Sequence, residues 1–252
     1  MPTEDTAPST TRTAPIALVT GANKGIGFEI ARQLARSGMT VYVGARDSGR
    51  SIAAAEKLQG EGLAARFIEL DVLREETIRA ATATIEAAHG RLDVLVNNAG
   101  IADRGDGPPS RADLDAVRRT LLTNFVGPAA VAQAMLPLLR RSPAGRIVNV
   151  SSELGSLAIN GDPGWEYAWA KFLGYSASKA ALNMLTVQLA FELTDTPIRV
   201  NSAGHGYTAT DVNDHRGTQT VEEGAAEAVR LALLPADGPT GGHFSSAGPV
   251  PW

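Results

Sequence analysis

Short apolar runs alternate along the chain with segments of helical periodicity. Residues 16–20 form a compact apolar run between Pro15 and Gly21. Apolar residues then recur at Ile26, Ile30 and Leu34, the spacing of one helix face, until Gly38 ends the pattern. The same reading predicts strands over 40–45, 65–70, 92–96, 146–150 and 198–202. It predicts helices over 48–59, 74–89, 111–141, 175–193 and 222–234, and a final edge strand at 242–245. Pro128 is expected to kink or break the long helical stretch. Strands that alternate with helices imply a parallel sheet covered on both faces, and the near-continuous apolar strands agree. The expected architecture is therefore α/β: one doubly wound (Rossmann-type) domain over 15–252, with about seven parallel strands and helices on both faces. Residues 1–14, rich in Thr and Pro, are expected to be a flexible tail. In such sheets ligands bind outside the carboxyl ends of the strands.

Composition narrows the choices. Of 252 residues 44% are apolar and 20% charged, as in a globular protein, and 26 are glycine. Average usage of about 7% would give about 18 glycines, so the excess needs a reason. With no cysteine, disulfides, thiolate metal sites and a Cys nucleophile are excluded. The four histidines, His89, His205, His215 and His243, show no ligand spacing, so no metal is expected. A net charge of −4 argues against a nucleic-acid partner. No apolar run approaches the ~18 residues that span a membrane, and 1–14 resemble neither a signal nor a transit peptide. The expected setting is cytoplasmic, without a membrane partner.

The first strand–helix junction reads Thr20-Gly21-Ala22-Asn23-Lys24-Gly25-Ile26-Gly27. Glycines here permit a tight turn and close backbone approach to phosphate, and the helix N-terminus offers free N–H groups to a pyrophosphate. The spacing is Gly-x-x-x-Gly-x-Gly, so an ordinary βα turn is the competing reading. A dinucleotide site declares its ribose preference at the end of the second strand. There the chain reads Ala45-Arg46-Asp47. If Arg46 and Lys24 converge on a 2′-phosphate, NADP(H) is favoured. If Arg46 is a solvated loop charge and Asp47 binds the ribose, NAD(H) is.

Tyr175 and Lys179 stand at i and i+4, on one helix face. A nearby ammonium favours tyrosinate, which makes Tyr175 a candidate general acid–base. Spacing alone also fits a helix-face pair of no consequence. Asn149-Val150-Ser151-Ser152 and Asn97-Asn98-Ala99-Gly100 leave two apolar strands at the ligand-binding edge, where polar residues make poor core material.

From about residue 14 to its end the chain resembles the short-chain dehydrogenase/reductase family. The resemblance rests on Thr-Gly-x-x-x-Gly-Ile-Gly, Asn-Asn-Ala-Gly, the serine and Tyr-x-x-x-Lys, in this order. Asn-Lys-Gly-Ile-Gly (23–27), Ala-Arg-Asp (45–47), Asn-Asn-Ala-Gly-Ile-Ala (97–102) and Thr-Asn-Phe (123–125) look most like its NADPH-dependent carbonyl reductases. The resemblance implies Tyr175 as proton donor to a substrate carbonyl and Lys179 as the group that binds the nicotinamide ribose and lowers the tyrosine pKa. It implies Ser152 as holder of the carbonyl oxygen and Asn124 as the residue positioning a water in a proton relay. It further implies that Asp71 and Val72 contact the adenine, that Asn98, Ala99 and Gly100 line the cofactor channel, and that Gly206, Thr208 and Thr210 lie near the nicotinamide amide and pyrophosphate. The implied reaction is reduction of a ketone or aldehyde by NADPH. The alternatives are an NAD(H)-dependent alcohol dehydrogenase working in oxidation, and a non-catalytic dinucleotide sensor.

Three departures stand out. After the sixth strand, where the family has Asn-x-x-x-Pro-Gly, the chain reads Asn201-Ser-Ala-Gly204-His205-Gly206. His205 is either a new acid–base group or a tolerated pocket substitution. Between Ser152 and Tyr175 an insert carries Trp165, Tyr167, Trp169 and Phe172. These rings either wall a pocket for apolar or aryl substrates, with Trp165 and Tyr207 as pocket residues, or pack the insert against the body. An insert of this length leaves monomer and homo-oligomer both open. Finally, 211–220 is too short for the family's helical lid, which implies an open pocket and broad substrate tolerance.

Overall fold

The computed structural model describes residues 14–252; all but the last residue of the expected N-terminal tail lies outside them. The chain opens with β1 (Ile16–Thr20), α1 (Gly25–Arg36), β2 (Thr40–Ala45), α2 (Ser48–Gly60), β3 (Ala65–Glu69), α3 (Glu75–His89) and β4 (Val94–Asn97). It continues with α4 (Leu114–Leu121), α5 (Gly127–Leu139), β5 (Arg146–Ser151), the single turn α6 (Leu157–Asn160) and α7 (Leu173–Glu192). It closes with β6 (Arg199–Gly204), α8 (Val221–Ala232), β7 (His243–Ser245) and β8 (Gly248–Pro249).

The strands form one sheet in the order β3-β2-β1-β4-β5-β6-β7-β8. The first seven are parallel and only β8 runs antiparallel, against β7. Alternating side chains feed two cores. Ala17 and Val19 join Ile30, Leu34, Leu58 and Ala228 on the face covered by α1, α2 and α8. Ile16 and Leu18 join Ile85, Val131, Met135 and Leu189 on the face covered by α3, α5 and α7. Burial on both faces is why the strands are apolar throughout. Strand order reverses between β1 and β4, so the crevice at their carboxyl ends is the topological switch point.

Two expectations need correction. β6 runs to Gly204, two residues past the expected end, because Ala203 and Gly204 keep their register with Val150 and Ser151. His205 therefore leaves the strand directly at the crevice. Pro128 does not break the helical stretch. It sits in the first turn of α5, where a missing N–H costs little. Its lost donor is absorbed by a π-type stretch, Leu122–Val126, closed by Gly127 N–H donating to Leu122 O. The resulting run Leu114–Leu139 is the one helix among the described residues long and apolar enough to cross a membrane. Here Val131, Met135 and Leu138 are buried in the core instead.

Candidate active site

The glycine-rich turn is shaped by contact with β4. Thr20 Oγ1 accepts from the N–H groups of Asn98 and Ala99, each at 3.0 Å, and Asn98 Nδ2 donates to Thr20 O at 2.9 Å and to Gly21 O at 3.2 Å. A Cβ on Gly21, which has φ +62°, would lie 2.8 Å from Ala99 Cα. One on Gly27 would lie 2.3 Å from Asn98 Nδ2. Both glycines are thus required by close approach. No side chain caps the N-terminus of α1. Its first N–H groups therefore face the crevice unfilled, which suits a pyrophosphate.

A cavity of about 1530 Å³ runs along the carboxyl edge of the sheet. Asn23, Lys24, Gly25, Ile26, Arg46, Asp71, Val72, Asn98, Ala99 and Gly100 line it, as do Gly206, Thr208 and Thr210. Ser152, Trp165, Tyr175, Lys179, His205 and Tyr207 line it too. The volume exceeds the ~1,000 Å³ upper range of small-ligand pockets and suits a dinucleotide with a second molecule.

The expected convergence of Lys24 with Arg46 is absent. Lys24 Nζ pairs instead with the Asp211 carboxylate, whose pKa it holds below the usual range. Arg46 is exposed where β2 ends. Asp47 caps α2, taking Arg50 N–H on Oδ1 at 3.0 Å and Arg50 Nε on Oδ2 at 2.6 Å. Both its oxygens are engaged before any ribose arrives.

The candidate catalytic side chains come together from three elements. Ser152 follows β5, is 6% exposed, and accepts Leu154 N–H on its hydroxyl at 3.2 Å. Tyr175 and Lys179 share one face of α7, with the ammonium 5.5 Å from the ring centre. Lys179 is buried and donates to Val150 O at 2.8 Å, and burial lowers its pKa to about 8. Burial pushes Tyr175 well above the ordinary phenol range. The Ser152 hydrogen bond opposes the shift, and the neighbouring Glu153 carboxyl adds to it. This is opposite to the expected lowering: the ammonium is aimed at Val150 O, and desolvation dominates.

Asn124 is fully buried within the π-type stretch. Its Oδ1 accepts Ile101 N–H at 2.8 Å, and its Nδ2 donates to Ile101 O at 2.9 Å and Ser178 Oγ at 3.0 Å. The side chain ties the strap after β4 to α7. Asn97 and Asn149 do not point at a ligand. They join β4 and β5 to α7, with Asn97 Nδ2 donating to Asn149 Oδ1 at 2.9 Å and Asn149 Nδ2 to Thr186 Oγ1 at 2.8 Å. These bonds offset much of the cost of burying the two amides, although Asn97 Oδ1 has no partner among the described residues.

The insert rings pack against one another and against Tyr207. Trp165 packs edge-on against Tyr167 with centroids 5.5 Å apart, and Tyr167 lies 5.8 Å from Tyr207. All three line the cavity, as do Trp169 and Phe172. Sequence reasoning missed Asp106. Its carboxylate accepts the N–H groups of Gly174 at 2.9 Å and Tyr175 at 2.7 Å, anchoring the start of α7. It also missed Glu153, whose carboxyl burial pushes up. A Cβ on Gly204 would lie 2.6 Å from Glu153 Oε1, so the glycine leaves room for that acid. No local spacing announces a cap that acts across 68 residues.

A doubly wound sheet with an uncapped glycine turn facing a Ser–Tyr–Lys cluster defines a Rossmann-type nucleotide-binding enzyme. The family model for short chain dehydrogenases matches residues 15–220. The chain is 35% identical to the mouse (Mus musculus) NADPH carbonyl reductase 1, over 94% of this chain and 98% of that one. It is 39% identical to the rat (Rattus norvegicus) NADPH carbonyl reductase 3, over 88% and 92%. A gluconate 5-dehydrogenase of Burkholderia cenocepacia, solved with NADP and tartrate, superposes with a TM-score of 0.79 at 29% identity, covering 92% of each chain. The chain belongs to the short-chain dehydrogenase/reductase family of oxidoreductases.

Proposed function

We propose that the protein reduces ketones or aldehydes to alcohols with NADPH, with Tyr175 as the proton donor. The observation that carries this reading is the meeting of Ser152, Tyr175 and Lys179 on the wall of a cavity that also contains the uncapped α1 N-terminus. Bound NADPH would supply the hydride. Gly25, Ile26 and Gly27 offer backbone N–H groups to its pyrophosphate, with Asn23, Gly21 and Thr210 beside them. Asp71 and Val72 would hold the adenine, Asn98, Ala99 and Gly100 would flank the cofactor, and Gly206 and Thr208 would hold the nicotinamide amide. Ser152 and Tyr175 both donate to the substrate oxygen, and Tyr175 gives up its proton as the alkoxide develops. Lys179 steadies the resulting tyrosinate and binds the ribose. A relay role for Asn124 falls to its main-chain carbonyl, since its side chain is engaged and Pro128 has no N–H to give that carbonyl.

The preference for NADPH is supported by the exposed cation of Arg46 on the cavity wall, next to Asp47, which is already paired with Arg50. The names of the mouse and rat relatives point the same way. Trp165, Tyr167 and Tyr207 favour apolar or aryl carbonyl substrates, and the short segment after Thr210 favours a broad range.

Cofactor consumption with aliphatic ketones, aryl ketones, diketones and quinones tests the reading. NADPH should be oxidised faster than NADH at equal concentration, with several aryl ketones turned over. Arg46→Asp should reverse the cofactor preference. A protein that consumes neither cofactor with any carbonyl, or that only oxidises alcohols with NAD, would overturn it.

A further inference from the structure

His205 stands where β6 delivers the chain into the crevice. Its Nδ1 lies 2.7 Å from Gly206 O. A carbonyl only accepts, so Nδ1 carries the hydrogen of the neutral ring and Nε2 is left as an acceptor. Nε2 lies 3.4 Å from the Tyr175 hydroxyl, long for such a bond, as hydrogen bonds in unliganded sites often are. Thr208 Oγ1 donates to the His205 carbonyl, which fixes the backbone that carries the ring. The contacts run in one direction, from Ser152 to the Tyr175 oxygen, from the Tyr175 hydroxyl to His205 Nε2, and from Nδ1–H to Gly206 O.

We infer that His205 is a positioning residue for Tyr175: its Nε2 accepts the phenolic hydrogen, aims the O–H, and holds the group in its acid form to higher pH. The inference rests on the reading of Tyr175 as proton donor. A proline at this position, as the family pattern has, offers no such acceptor. An acceptor that bonds the neutral form of an acid disfavours its ionisation. Three charged or titratable groups face the imidazole and phenol: Tyr175 itself, Lys179 from α7 and Glu153 from the turn after β5. Burial, aided by Lys179, lowers the His205 pKa to about 4, so Nε2 is free to accept at neutral and alkaline pH. His205 neither gains nor loses a proton: the Tyr175 O–H turns from Nε2 to the substrate oxygen when a carbonyl enters, and the phenol gives that proton to the developing alkoxide.

The test is the pH profile of NADPH-dependent carbonyl reduction, whose alkaline fall reports the Tyr175–Lys179 pair. H205A and H205N, the second too short to reach the phenol, should lower that midpoint by about one pH unit. H205Q, whose amide oxygen can take the place of Nε2, should return it to within a few tenths. In a Y175F background H205A should cause no further loss of residual activity. A midpoint unchanged in H205A and H205N, or lowered equally in H205Q, overturns the inference while carbonyl reduction stands. A lower kcat with the same midpoint makes His205 merely structural and also overturns it. If the unmodified protein reduces no carbonyl, the functional reading itself has failed.

Discussion

Tyr175→Phe is expected to reduce carbonyl turnover by about 10³-fold or more while NADPH still binds within a few-fold of its original affinity. A well-placed general acid contributes about 10²–10⁴-fold, and the phenol also supplies one of the two donors to the developing alkoxide. The substitution removes a single oxygen. The ring keeps its place because α7 is anchored by backbone: Asp106 accepts the N–H of residues 174 and 175, whatever side chain position 175 carries. Lys179 keeps its bond to Val150 O. Steady-state turnover paired with a fluorescence titration of NADPH checks both halves. Turnover within tenfold of the original protein would remove Tyr175 from the mechanism. Loss of NADPH binding would show that the variant disturbs the channel rather than the proton transfer.

Ser152→Ala should lower kcat by about 10²–10³-fold, the usual cost of one oxyanion-type donor. Ser152 also accepts Leu154 N–H in the short turn Glu153–Gly155, and loss of such a cap costs about 1 kcal/mol. Thermal unfolding should therefore change little while turnover collapses. Ser152→Thr keeps the hydroxyl and should recover part of the rate. Equal kcat in the Ala variant, or a fall matched by a large drop in Tm, would mean that the serine serves the turn and not the substrate.

The glycine excess separates the two levels of information. Gly21 and Gly27 are legible as a phosphate turn from their place between a strand and a helix. Their necessity comes from Asn98 and Ala99, distant in the chain, which no local pattern can supply. The ribose end shows the same division. Arg46 and Asp47 were readable as rivals, but the capping bonds to Arg50 engage Asp47. Lys24 shows the same division: its partner Asp211 lies 187 residues further along the chain. The asparagines at the strand ends looked like ligand groups because an unpaired amide is costly in a core. They are core residues because Asn97 Nδ2, Asn149 and Thr186 form a hydrogen-bonded chain across β4, β5 and α7.

By itself, the sequence determined the alternation of strand and helix, the doubly wound sheet and the identity of Asn124, Ser152, Tyr175 and Lys179. The alternation and the sheet follow from periodicities that single segments carry, whereas the four residues are what the resemblance to the family implies. Only the tertiary structure decided that Asp106 anchors α7, that Gly204 makes room for Glu153, and that His205 meets the Tyr175 hydroxyl. Desolvation and hydrogen bonding act between groups distant in the chain, and burial is the largest influence that raises the Tyr175 pKa.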